Sequence, residues 1–140
     1  MERYKDIAPC VIDCFNCEVY APNITEAVAA QLSARLGIAP EKVPCSGCRS
    51  SDGCRLHMGE CATLECVKAR NVDYCYQCED FPCEFLSPAA DGADRFPHNL
   101  KLYNLCRMKL KGIEAWRAEA AENRRRYFKG KFTIGRGPVL

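Results

Sequence analysis

Three C-x2-C pairs, Cys14/Cys17, Cys45/Cys48 and Cys75/Cys78, constrain this chain more than any other feature. Such a pair makes a tight turn that points two sulfurs at one ion, and two pairs complete a tetrahedron around zinc. Six further cysteines bring the total to twelve in 140 residues. In a secreted protein that density would indicate a disulfide scaffold. The opening MERYKDIAPC, however, has no apolar signal core and no small-residue cleavage site, and no run of about 20 apolar residues follows anywhere. The expectation is a cytoplasmic chain without membrane contact. In a reducing thiol pool, clustered cysteines more often bind metal than form disulfides.

The candidate ligands are Cys10, Cys14, Cys17, Cys45, Cys48, Cys54, Cys61, Cys66, Cys75, Cys78 and Cys83, all within the first 98 residues. Zinc in two or more closed sites is the expected cofactor, and an iron–sulfur cluster is the alternative, since four thiolates suit both. Spacing leaves open which pairs share an ion. Cys10 either joins the ion of Cys14 and Cys17 or reaches a neighbouring one. His57, between Cys54 and Cys61, is a further candidate donor, and His98 is assigned no role. Cys106 stands more than twenty residues from any other cysteine on an apolar helical stripe and is expected to be a buried free thiol.

The stretch APCVIDCFNCEVYAP contains Cys10-x3-Cys14-x2-Cys17, which resembles the cluster-binding triad of the radical S-adenosylmethionine enzymes. That triad usually has an aromatic residue just before its third cysteine, where this chain has Asn16. The radical chemistry also needs most of a β/α barrel, and such barrels run to about 250 residues. The bacterial ferredoxin run C-x2-C-x2-C-x3-C-P is absent as well. The stretch therefore reads as a half-site, the zinc knuckle of Cys14 and Cys17 with Cys10 beside it.

Helical periodicity appears twice. In NITEAVAAQLSARLG, Ile24, Val28, Leu32 and Leu36 recur every four residues, Asn23 and Glu26 suggest a capping box, and Gly37 suits the C-terminal end. Residues 39–54 are loop-like, and residues 59–70 have helix-forming composition with Asn71 as a stop. Within that helix Cys61 and Cys66 would lie about 140° apart, facing different sites. Further on, Tyr103, Cys106, Leu110 and Ile113 share one face, and Trp116, Ala120 and Tyr127 extend a stripe past a break at Gly112. The tail GKFTIGRGPVL reads as a hairpin or extended arm.

The fold class expected is a small, metal-stabilised, α-rich irregular domain. Its parts are a cysteine-knuckle lobe over residues 1–86 with a helix in its N-terminal half, a linker at 87–98, a longer basic helical segment at 99–128 and an extended tail at 129–140. Metal would compensate for a thin core, because structural zinc contributes about 10–16 kcal/mol per site at neutral pH.

Charge divides the chain unevenly. Residues 1–98 carry 9 Lys and Arg against 15 Asp and Glu, whereas residues 99–140 carry 11 against 3. The basic segment would complement an anionic thiolate lobe. A protein partner is the leading expectation for an interaction module, and nucleic acid at residues 123–132, where five cations mix with three aromatics, is the second. A catalytic zinc needs an open position and usually a histidine or carboxylate base. With two histidines and abundant thiols, closed sites and no enzymatic activity are expected, and a thiol-based electron carrier is the competing class.

The segments CVIDCFNCEVY, VPCSGCRS, CVKARNVDYCYQCEDFPCEFL and NLKLYNLCRMKLKGIEAW resemble the bacterial and archaeal family called domain of unknown function 3795. The resemblance spans about Cys10 to Trp116 and implies a small, cysteine-rich, zinc-binding protein. The family often has Gly after its first cysteine, where this chain has Val11.

Overall fold

Eleven residues, Glu26–Leu36, form the first helix, α1, and the reason lies in both its stripe and its ends. Leu32 is buried against Val19 and Val43, with Ile24, Val28, Leu36 and Ile38 packed around them, so the four-residue spacing does face a core. Gly37 closes the helix in the left-handed conformation as expected. The N-cap differs from expectation. Thr25, not Asn23, accepts the Val28 N–H through its side chain. Asn23 is drawn elsewhere, as described below.

The structure, a computed structural model, describes residues 4–51, 54 and 60–140. The chain forms two compact units, one made of Met1–Pro9 with Asp13–Asp73 and the other of Cys10–Ile12 with Tyr74–Leu140. In the first unit α1 is followed by a 3-10 turn at Pro40–Lys42, a short helix α2 at Cys48–Ser51 and helix α3 at Ala62–Ala69. The stretch expected to be wholly loop thus carries one helical turn at Cys48. Helix α3 begins after Cys61, so Cys61 is its N-cap and only Cys66 lies within it. Asn71 follows in the left-handed region, in agreement with its reading as a stop.

The second unit is dominated by helices α4, Leu100–Lys111, and α5, Ile113–Lys129, separated at Gly112 as the sequence suggested. Trp116 and Ala120 are buried on α5. On α4 the buried face is Leu100, Asn104, Leu105 and Met108. The expected stripe is therefore corrected: Tyr103 and Leu110 are exposed, and so is Cys106, which is no core thiol. Asn104 is the cause of the misreading. This amide occupies a core position because its Nδ2 donates to the Val11 carbonyl at 2.9 Å, and a polar residue there hides the true stripe from a hydrophobicity pattern. Residues 87–98, expected to be a linker, close into a loop, with both Asn99 side-chain atoms bonded to the Ala89 backbone at 2.9 Å and His98 Nε2 3.1 Å from the Ala89 carbonyl.

Strands β1, Lys131–Thr133, and β2, Arg136–Val139, pair antiparallel into a hairpin after α5. Gly130 permits the join: a Cβ there would stand 2.5 Å from both the Arg126 carbonyl and the Pro138 side chain. Among the described residues no helix is long and apolar enough to cross a membrane.

The two long helices are clasped by charge. Arg107 of α4 donates twice to the Glu119 carboxylate of α5, at 2.6 and 2.8 Å, and Lys111 adds a third contact at 3.1 Å. The Arg107 hydrogen bonds, followed by the contact from Lys111, lower the Glu119 pKa from the usual 4.5 to about 2. A depressed carboxyl pKa stabilises the fold above its ordinary value and loses that contribution as pH falls through the folded one. Acid titration of stability between about pH 4.5 and 2 is therefore expected to show a loss that Glu119→Gln reduces. Because the pair is partly solvated, the variant should cost only about 1 kcal/mol at neutral pH, measured by chemical denaturation. Equal acid sensitivity in both proteins would assign the titration to other carboxylates.

Candidate metal centre

The first knuckle is built by short-range hydrogen bonds. Cys14–Asn16 is a 3-10 turn in which the Cys17 N–H donates to the Cys14 carbonyl at 2.9 Å. Asn16, the residue that departs from the radical-enzyme pattern, donates from Nδ2 to the Asp13 carboxylate at 2.8 Å, and Asp13 is fully buried. Asn23 holds the same turn from outside: its Nδ2 donates to the carbonyls of Phe15 and Cys17 at 2.8 and 2.9 Å. An amide that looked like a helix cap in fact fixes the knuckle to the start of α1.

The second knuckle runs from Cys45 to Cys48. The Gly47 N–H donates to Cys45 Sγ at 3.4 Å. Gly47 has φ +90, and a Cβ on it would lie 2.7 Å from the Lys5 carbonyl. No other residue fits that turn without moving backbone. Arg49, one residue past Cys48, anchors the knuckle by donating from Nε to the Ile7 carbonyl at 2.9 Å and from Nη2 to the Asp73 carbonyl.

These two knuckles are side by side. Cys45 pairs in parallel with Tyr20, its N–H donating to the Val19 carbonyl at 2.9 Å and its carbonyl accepting from Ala21 at 2.8 Å. Cys17 and Cys45 both pack on the Val19–Leu32–Val43 cluster. Cys14 lies against Cys48, close enough to interact with both its side chain and its backbone. The Cys48 side chain, and then burial, push the Cys14 thiol well above the usual range. The structure thus places Cys14 beside Cys48 and packs Cys17 and Cys45 on one cluster in the first unit.

The second unit holds another group of thiols. Cys75–Gln77 is a 3-10 turn, closed by the Cys78 N–H to the Cys75 carbonyl at 3.1 Å and by Gln77 Oε1 accepting from the Tyr74 N–H at 2.9 Å. Helix α4 packs against this turn. Cys83 precedes the Glu84–Leu86 turn. Residues Cys10–Ile12 belong to this unit, and Cys10 and Cys75 are both buried. Val11 has φ +58, the region that a glycine enters freely. This is the position where the resembled family often has Gly. The backbone keeps the glycine-like conformation, and the Asn104 bond to the Val11 carbonyl fixes it.

Cys54, Cys61 and Cys66 are half-buried in the first unit, while His57 lies outside the described residues. None of the twelve cysteines is in a disulfide. Among the described residues, no three His, Cys, Asp or Glu side chains are gathered as a group that could hold a metal ion. Sequence reasoning named the thiols but missed Gly47, Asn23 and Asn104. Of these only Gly47 left a signal, as the glycine inside a C-x2-C pair.

Residues 6–88 match the family described as protein of unknown function (DUF3795). The chain belongs to this family. No curated protein and no solved structure matches the chain. The DUF3795 span includes every candidate ligand from Cys10 to Cys83, and it ends before α4, so the NLKLYNLCRMKLKGIEAW stretch lies beyond it.

Two substitutions test the geometry. Gly47→Ala should lose about 2 kcal/mol of stability from the left-handed backbone and the close Lys5 carbonyl. A loss below about 0.5 kcal/mol in denaturant titration would mean that the turn adjusts. Asn104→Leu keeps the side-chain branching but orphans the buried Val11 carbonyl, and should cost about 1–3 kcal/mol by the same measurement. A neutral or stabilised variant would show that this bond does not hold the Cys10–Ile12 segment.

Proposed function

We propose that this DUF3795 member is a zinc-binding protein in which metal replaces apolar core, and that it works as a small interaction module rather than an enzyme. The observation that carries the reading is the apposition of the first two knuckles, with Cys45 backbone-paired to residues 19–21 and Cys14 lying against Cys48. Four thiols on two C-x2-C turns are the donor set of a closed structural zinc site. The donors fit the ion chemically: cysteine sulfurs are soft ligands, and the Gly47 N–H holds the Cys45 sulfur in place. In this reading Cys14, Cys17, Cys45 and Cys48 hold one ion. Cys10, Cys75, Cys78 and Cys83, the four thiols of the second unit within the matched span, hold another.

Zinc when bound would neutralise the thiolates and cross-link distant segments. The chain's own residues supply the rest: Asn23 and Asn16 fix the first turn, Arg49 anchors the second, and Asn104 orders the segment beginning at Cys10. Val19, Leu32 and Val43 are the buried members of the cluster beneath the first two knuckles, and a site worth about 10–16 kcal/mol would exceed what that cluster contributes. Closed coordination also leaves no position for a substrate, in keeping with a binding role.

Metal analysis of anaerobically purified protein is expected to give about two zinc ions per chain, with no iron and no visible absorption. The double variant Cys14→Ser/Cys48→Ser should lose one ion, and Cys75→Ser/Cys78→Ser should lose a different one, each with a fall in melting temperature. Iron with acid-labile sulfide would replace zinc by a cluster. Less than one metal per chain would overturn the proposal.

A further inference from the structure

The C-terminal segment from Asn123 to Leu140 contains six cations, Arg124, Arg125, Arg126, Lys129, Lys131 and Arg136, and no acidic side chain. Internal contacts use few of these charges. Arg125 pairs with Glu122 at 2.9 and 3.1 Å. Arg126 Nε donates to the neutral Pro138 carbonyl at 3.1 Å, which spends a donor but cancels no charge. The Arg124 guanidinium lies over the Phe128 ring at 5.7 Å. Among the described residues no carboxylate forms a salt bridge with Lys129, Lys131 or Arg136.

The same segment displays apolar groups that a water-facing hairpin has no internal reason to carry. Every residue of β1 and β2 is exposed. Phe132 is 87% exposed, and Ile134, in the two-residue turn, is 89% exposed. The exposed Phe132 ring follows Lys131 on β1, and Arg136 lies on the adjoining strand, so one hairpin carries a stacking group and phosphate-binding groups together. A second copy docked through this same segment would bring six like charges against the same six. A protein partner would have to be acidic and would gain little from an isolated ring. A flexible polyanion with unpaired bases satisfies both features, because each base has a face to stack and each phosphate a charge to neutralise.

We propose that the β1–β2 hairpin and the end of α5 bind single-stranded nucleic acid. Phe132 stacks on a base, and Lys129, Lys131 and Arg136 contact backbone phosphates. The Arg126–Pro138 bond and the close Gly130–Pro138 approach seat the hairpin on α5, so the ring and the charges are presented on one rigid arm. This inference goes beyond the zinc reading and does not depend on which metal the cysteines hold.

The test uses the full chain as purified and fluorescence anisotropy with labelled single-stranded oligouridylate and oligothymidylate. Three phosphate contacts give a log–log salt slope of about −2 for single strands, so affinity should fall about twentyfold between 50 and 200 mM salt. Phe132→Ala should weaken binding at least about tenfold, as loss of one stacked base would. Lys129→Ala/Lys131→Ala/Arg136→Ala should flatten the salt dependence. All four positions are outside the buried core, and unchanged melting temperatures would confirm that the variants fold. Absence of binding at 50 mM salt, or binding that none of these substitutions alters, would overturn the proposal. So would tighter binding to duplex DNA, or binding to phosphatidylserine vesicles with none to the oligonucleotides.

Discussion

The first unit depends on a single backbone pairing, that of Cys45 with the segment Val19–Ala21. Everything between these points serves to return the chain. Helix α1 carries it away, Gly37 turns it, and the Pro40–Lys42 turn brings Val43 back beside Val19. Once Cys45 is bonded on both sides of Tyr20, the second C-x2-C turn has little freedom in where it can lie. Helix packing and thiol placement are therefore one event: the side chains that form the small core are those flanking the cysteines. A residue that loosened Val19 or Val43 would separate the sulfurs as surely as deletion of a cysteine.

What could be read from the sequence divides along physical lines. The α1 stripe was legible because each of its four residues packs on the cluster, and the break at Gly112 was legible because glycine interrupts an otherwise continuous helical pattern. The α4 face was not. A buried amide at Asn104 is indistinguishable in sequence from an exposed one, and its partner is a carbonyl 93 residues away. The same limit applies to Asn23, whose position favours a cap but whose amide finds two better acceptors in the knuckle. Cysteine spacing revealed the knuckles and their residue types. It did not reveal that Cys10 belongs with the second unit, because unit membership is set by long-range packing rather than by the three residues that separate Cys10 from Cys14.

Val11 shows how a local rule can be broken where long-range contacts compensate. A β-branched residue at φ +58 is costly, about 1–2 kcal/mol, and a glycine there would avoid the cost. In exchange, the valine side chain is completely buried, which returns about 1.5 kcal/mol or more, and Asn104 ties the adjoining carbonyl. The two terms are of similar size, so the position tolerates either solution. The backbone shape is the quantity preserved, and Cys10 is its direct neighbour.

The charges of the second unit sort themselves by the same accounting of partners. Near the start of the helical pair, Arg107 and Lys111 share the Glu119 carboxylate, and one turn later Glu122 takes Arg125. Beyond Glu122 the chain supplies no further acid. Past that point Arg126 donates to the Pro138 carbonyl, and among the described residues no carboxylate forms a salt bridge with Lys129, Lys131 or Arg136. Placing the most exposed aromatic of the chain at that end cannot be explained by folding: Phe132 buries almost nothing, and the hairpin is seated by Pro138 and Gly130 without it. A side chain that is 87% exposed and sits among Lys129, Lys131 and Arg136 is best accounted for by what it meets outside the molecule.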